Sequence, residues 1–267
     1  MIRLGLFIKE YICNMKLQKY FFYVIGLALY SCQYSYEETN KETSVAAAYQ
    51  QIADNHPDAY SELPDTLELR LIALGLVDIQ LINSKVRVEL KYSSEDNFMK
   101  TNVYGKLKKA YLQKEVAEML SKAQENLSNQ DSNLYLLVYD DVRPVWVQWK
   151  MWNMLDSIPV HQRSKFLSNP KNKSVHNYGS AVDLTICDSA GIPLDMGAGF
   201  DDSREIAYPS MEHYYLSKGL LTQVQVDNRK LLRAVMKSAG FRNIETEWWH
   251  FNAFSRNVAR KKYKVVD

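Results

Sequence analysis

Two short stretches constrain this chain more than anything else in it, Ser174 to Asp183 and Glu247 to His250. Both carry side chains that bind protons or metals, and a long run of sequence separates them, so the fold must bring them together. The local pattern shows how. His176 closes a polar run (Lys171, Asn172, Lys173, Ser174), and Gly179, Ser180 and Ala181 lead into Val182 to Ile186, whose period-two alternation predicts a buried strand. Small residues at 179 and 181 let the backbone fold His176 back towards Asp183. Phe241 to Phe251 reads as a second strand that delivers Glu247 and His250 to the same place. Two imidazoles and one carboxylate (His176, His250, Asp183) are donors of the kind zinc prefers, with a fourth position left for water. The expectation is a catalytic zinc site with one Zn2+ per chain.

Around that centre the residues alone leave alternatives open. Glu247 stands three residues before His250, where it can serve as general base for a zinc-activated water or as a partner that orients His250. Arg143 follows the apolar run Leu134 to Tyr139 and is placed at the end of a core strand. It can form a salt bridge with Asp140 or Asp141, or offer a permanently charged guanidinium to an oxyanion. Ser174 reads as a turn hydrogen bond and Asp201 as a loop cap. His56, His161 and His213 have no such company and read as surface or structural residues, although His213 is near the site in sequence. Trp248 and Trp249 read as packing that shields the metal.

The motif from Ser174 through His176, Gly179 and Ala181 to Asp183 resembles the S-x-H-x-x-G-x-A-x-D signature of the zinc D,D-peptidases. Glu247-Trp248-Trp249-His250-Phe251 resembles the ending of their D-alanyl-D-alanine dipeptidase (VanX-type) branch. Further matches arrive in the family's order: Val88 to Tyr92 with Asp96-Asn97-Phe98 and Val103-Tyr104-Gly105, Val138 to Pro144, and Met196 to Asp201. The resemblance covers roughly Leu81 to Phe254. It implies zinc on His176, Asp183 and His250, a water acidified by that zinc, Glu247 as the base, and Arg143 as the group that steadies the oxyanion. It implies Ser174 on the substrate carboxylate and Asp201 on the ammonium of a small D-amino-acid dipeptide such as D-Ala-D-Ala. Tyr92, Asp96 and Asn97 would shape the pocket.

The rest of the chain fits one such domain. At 267 residues, 46% hydrophobic and 12% aromatic, it can build a substantial core, and a formal net charge of +2 without a basic, aromatic-laced stripe argues against nucleic acid as a partner. Lys16, Lys19 and the apolar run Tyr20 to Leu29 read as a secretory signal, and Leu29-Tyr30-Ser31-Cys32 resembles a bacterial lipobox, with Cys32 as the lipidation site and membrane anchor. The true start is Met1 or Met15. The expected organisation is a signal or lipoprotein segment at 1–32, a polar tether at 33–66, and a zinc dipeptidase domain at 67–267, in the cell envelope. Cys13, Cys32 and Cys187 form no paired framework, so no disulfide is expected.

The expected fold is α+β: a single domain with a central antiparallel sheet flanked by helices, and the zinc site in a cleft on the sheet. Strands are expected at Val86 to Tyr92 and Leu134 to Tyr139, and helices at Lys106 to Asn129, Trp146 to Leu155, Met211 to Lys218 and Asp227 to Ala239. Pro144 is placed at the first position of its helix, Asp227 as an N-cap and Gly240 as a stop. The oligomeric state is open.

Two rivals remain. One is a peptidoglycan D,D- or L,D-carboxypeptidase, which uses the same ligands in a more open cleft. The other, of a different class, is a zinc-stabilised lipoprotein that binds cell-wall fragments without cutting them. Glu247 and Arg143 argue against the second, because a binding module needs neither. An envelope address also points to cell-wall turnover or scavenging of released dipeptide rather than antibiotic resistance.

Overall fold

The computed structural model describes residues 66–267. The signal and lipobox reading, Cys32 and nearly all of the polar tether lie outside the described residues. Pro64–Asp267 forms one compact unit. Its elements mix helices and strands throughout, as an α+β fold requires. Among the described residues no helix is long and apolar enough to cross a membrane.

Helix α1 (Thr66–Ala73) leads into strand β1 (Leu76–Asp78) and the single turn α2 (Ile79–Ile82). Strand β2 (Arg87–Val88) ends quickly, because the chain turns into a short 3-10 segment at Lys91–Ser93. The long strand expected over Val86 to Tyr92 is thus two residues of ladder, and the turn after it carries Tyr92 into the interior. Strand β3 (Tyr111–Gln113) pairs antiparallel with β1. Helix α3 (Lys114–Gln130) follows directly, eight residues later than expected, because the apolar residues Leu107 and Ala110 are buried from a loop rather than from a helical face. Strand β4 (Tyr135–Asp140) and helix α4 (Val145–Met154) come next. Pro144 is the N-cap of α4, one residue before the position expected.

The second half contains strand β5 (Ala181–Cys187), helix α5 (Glu212–Ser217), helix α6 (Gln223–Ser238), strands β6 (Arg242–Asn243) and β7 (His250–Asn252), and helix α7 (Arg256–Lys262). The start of α6 is Thr222, not Asp227. The Thr222 hydroxyl accepts from Gln225 N, and Gln225 Oε1 accepts from Thr222 N, a reciprocal capping box. Asp227 lies within the first turns and pairs loosely with Lys230. Of the strand expected over Phe241 to Phe251, only the two ends pair, and the turn between them carries Glu247.

The main sheet has the order β2-β4-β5-β7-β6. It is mixed rather than antiparallel throughout, since β2 runs parallel to β4 while β4, β5, β7 and β6 alternate in direction. The parallel pair follows from connectivity: β3 and α3 intervene between the two strands, which gives the crossover that parallel strands need. Leu136, Val138, Val182, Leu184 and Ile186 face one side and join the core with Leu120 and Leu127 of α3 and Leu232, Val235 and Met236 of α6. At the end of β4 the register slips: Val138 faces Leu184, yet Asp140 faces Asp183. Tyr139 is the extra residue of this bulge, and Asp140 consequently lands opposite Asp183 instead of among the core residues.

Candidate active site

His176 lies in a short 3-10 segment, His176–Tyr178, that ends on Gly179 at φ +60°. A Cβ on Gly179 would lie 2.8 Å from Leu76 Cδ2, so both the left-handed backbone and the close approach of β1 call for glycine there. This reversal returns the chain into β5, which carries Asp183. Asp183 pairs with His250 across the β5–β7 ladder.

His176 Nε2, Asp183 Oδ1 and His250 Nδ1 converge. The separations are 3.1 Å between the two nitrogens, 3.4 Å from His176 to Asp183 and 2.8 Å from His250 to Asp183. The outward nitrogens are tied elsewhere: His176 Nδ1 lies 2.5 Å from the carbonyl of Asp141, and His250 Nε2 lies 3.1 Å from Asn252 Oδ1. With their protons on those outer nitrogens, both rings aim lone pairs at a carboxylate oxygen, an arrangement that calls for a cation in the middle. Zinc bonds of roughly 2.0–2.1 Å in tetrahedral geometry give donor separations of about 3.3 Å, close to those observed. The residues fit the metal. Burial works against the charge of Asp183, but His176 and then His250 hold its carboxyl well below the usual carboxylate range.

The three donors open on a cleft of about 290 Å³. Glu247 lines it from the turn before β7, with 38% of its side chain exposed and Oε2 3.8 Å from His250 Nδ1. Although part of the side chain faces the open cleft, desolvation of its carboxyl raises the pKa above the ordinary value, against the pull of His250. That suits a group that must take and return a proton.

Arg143 enters from the other side. Its Nη2 forms a buried ion pair with Asp140 Oδ2 and lies 3.9 Å from Asp183 Oδ2, and its guanidinium stands 5.3 Å from the centre of the Tyr92 ring. Asp140 Oδ1 accepts from the Tyr104 hydroxyl at 2.6 Å. Burial disfavours the Arg143 charge, but Asp140 more than restores it and raises its pKa well above the ordinary value. The salt-bridge and oxyanion readings of Arg143 are therefore compatible: one side of the guanidinium is anchored, and the residue still lines the cleft.

Tyr92 also holds Asp201, its hydroxyl donating to Oδ1 and Oδ2 at 3.1 and 3.0 Å. Asp201 sits at φ +62°. Burial, then the charge of Asp183, push its carboxyl well above the usual range. Ser174 lines the cleft, yet its hydroxyl donates to Gln148 Oε1, which also accepts from Asn177 Nδ2. Asn97 is occupied in tying its own loop through the carbonyls of Lys91, Ser94 and Thr101, and Asp96 pairs with Lys91 on the surface, so only Tyr92 of that trio reaches the cleft. Trp248 and Trp249 are both buried, and Trp249 also forms part of the cleft wall. His161 and His213 are exposed and do not line it. Gln148, Tyr104 and Asn252 are supporting residues to which sequence reasoning gave no role, and of the two salt-bridge partners it named for Arg143, the structure pairs Asp140.

A two-histidine, one-aspartate centre with an adjacent glutamate and a buried arginine is the site of a metallopeptidase. Residues 72–266 match the family model described as D-ala-D-ala dipeptidase, and the chain belongs to that family. The D-alanyl-D-alanine dipeptidase of Escherichia coli (strain K12) is 35% identical over 176 residues, covering 66% of this chain and 83% of that protein. The D-alanyl-D-alanine dipeptidase of Enterococcus faecium is 30% identical over 192 residues, covering 67% of this chain and 91% of that protein. Among solved structures, the LdcB LD-carboxypeptidase overlays with a TM-score of 0.35 at 18% identity, over 57% of this chain and 63% of that one, too loose a likeness to bear on function.

Proposed function

We propose that this protein is a zinc-dependent dipeptidase that hydrolyses D-Ala-D-Ala or a close D-amino-acid dipeptide to free amino acids. The observation that carries the reading is the convergence of His176, Asp183 and His250 within 3.4 Å of one another, with Glu247 3.8 Å from the same His250 nitrogen. When bound there, zinc supplies Lewis acidity that lowers the pKa of water and polarises a carbonyl. In this reading Glu247 takes the proton of the attacking water and returns it to the leaving amine. Arg143, held by Asp140 and stacked on Tyr92, donates to the oxygen that becomes negative. Asp201 receives the substrate ammonium. The site is a cleft on the sheet of a single domain that begins near residue 67.

The envelope address is a proposal from sequence: residues 1–32 as a lipoprotein signal with Cys32 acylated, 33–66 as a tether, and a role in cell-wall turnover or dipeptide scavenging. Fractionation that left the mature protein in the cytosol would remove that part of the reading and leave the chemistry intact.

The experiment is metal analysis of the full chain together with D-alanine release from D-Ala-D-Ala. One zinc per chain with stoichiometric D-alanine is the expected result. Zinc without hydrolysis of the dipeptide, but with release of D-alanine from a pentapeptide, would replace dipeptidase by carboxypeptidase.

A further inference from the structure

A zwitterionic dipeptide brings two charges into the cleft, and the residues described so far answer only one. Asp201 is available to the ammonium. For the carboxylate, Ser174 is poorly placed as it stands, since its hydroxyl proton is directed at Gln148 Oε1. Arg143 is anchored to Asp140 beside Asp183 and is needed at the scissile carbonyl. Apart from Arg143, Lys and Arg line the cleft at two positions, Lys165 and Arg256. Both are exposed, and among the described residues neither has a carboxylate partner.

Their placement matches the Ser174 end of the cleft. Helix α7 packs through Ala259 on Val175 and Tyr178, directly after Ser174, and Arg260 Nη2 reaches the carbonyl of Asn172, two residues before it. Arg256 stands one turn earlier on the same helix, four residues after Asn252, the partner of His250. Lys165 comes from the 3-10 segment Arg163–Lys165, whose continuation is held by Gln148 Nε2 on the carbonyl of Ser168. Tyr92 and Asp201, by contrast, are gathered around Arg143. The two segments that contribute these cations carry no Asp or Glu between Arg163 and Asn177 or between Asn252 and Val266. The cleft thus has an acidic anchor at one end and uncommitted cations at the other.

We propose that Lys165 and Arg256 form a carboxylate clamp that selects substrates with a free C-terminal carboxylate, fixing which end of the dipeptide lies on the Ser174 side. Arg256 supplies a planar, permanently charged fork suited to two-point contact, and Lys165 a movable point charge. The clamp rests on the dipeptidase reading and deepens it.

The test uses the full, zinc-loaded chain, with Arg256→Gln, Lys165→Gln and the double variant, on D-Ala-D-Ala and on its C-terminal amide. Both side chains are exposed, so folding should be unaffected, and zinc content checks that the centre is intact. The expected result is a KM for the free acid raised about tenfold or more in the double variant, with kcat little changed and the amide handled equally by both proteins. Equal losses on acid and amide, or no loss on either, would overturn the clamp while leaving the dipeptidase standing. If the wild type hydrolyses neither compound, the dipeptidase reading itself fails, and calorimetric binding decides the clamp. Acid-selective binding abolished in the double variant supports it, and binding indifferent to the carboxylate or to the substitutions overturns it.

Discussion

His176 Nε2 and His250 Nδ1 face each other at 3.1 Å, while each ring's other nitrogen is held by a group that is not one of the three converging donors. Without a metal, something positive must sit between them and Asp183. Burial alone would depress the pKa of His250, but the hydrogen bond and charge of Asp183 reverse this and push it up to about 9. A proton on His250 therefore stabilises the metal-free fold fully below its unfolded value of about 6.5, and that contribution is lost as pH rises through the folded value. Bound zinc takes the proton's place. The denaturant midpoint of chelated protein should fall between roughly pH 6.5 and 9 while that of the zinc-loaded protein stays flat, and apparent zinc affinity should rise by up to about tenfold per pH unit over that window. Chelator competition at several pH values measures this; an affinity indifferent to pH there would remove His250 from the ligand set.

Glu247 is near the donors without being one of them. Glu247→Gln should retain one zinc per chain and lose turnover by about 10²–10⁴-fold. Metal analysis beside the rate assay separates the two effects, and a variant that lost its zinc would reveal Glu247 as a ligand or a structural support.

Arg143 and Asp140 act as a unit. Arg143→Ala should lower kcat by about 10²–10³-fold if it meets the oxyanion. Asp140→Asn, which never touches substrate, should leave a buried guanidinium without its counter-charge and cost about 3–5 kcal/mol of stability. Near-normal turnover in the first variant, or an unchanged denaturant midpoint in the second, would contradict these roles.

Tyr92 joins Arg143 to Asp201, and Tyr92→Phe removes only the hydroxyl that donates to Asp201. Asp201 already has its pKa raised by burial, and losing this donor raises it further, which weakens its charge near neutral pH. The KM of the variant should increase several-fold, and more so at lower pH, with kcat less affected. A KM profile parallel to that of wild type would show that Asp201 does not hold the ammonium.

The convergence of His176, Asp183 and His250 was legible in the sequence because its information is local: a strand with alternating residues, a glycine where the chain must reverse, and Glu247 three residues before His250. What could not be read was set by distant contacts. Leu107 and Ala110 mimic a helical face but are buried from a loop, so α3 starts at Lys114. Thr222 outcompetes Asp227 as the cap of α6 because Gln225 completes a reciprocal pair with it. Thr222→Ala should accordingly cost about 1 kcal/mol in a denaturant melt. Gln148 binds Ser174 and Asn177 from another helix, and no spacing rule announces such a contact.

The bulge at the end of β4 has a further meaning. Up to Val138 the strand keeps the sheet's simple alternation, and one extra residue then inverts its phase, turning Asp140 to the side of Asp183. Chemistry at this centre depends on a count as well as on side chains. Any change at Tyr139 that keeps the bulge is a question of packing, whereas a ladder that ran on without it would set Tyr139 opposite Asp183 and Asp140 opposite Val182, leaving every catalytic residue in the chain and pointing the Arg143 anchor into oil.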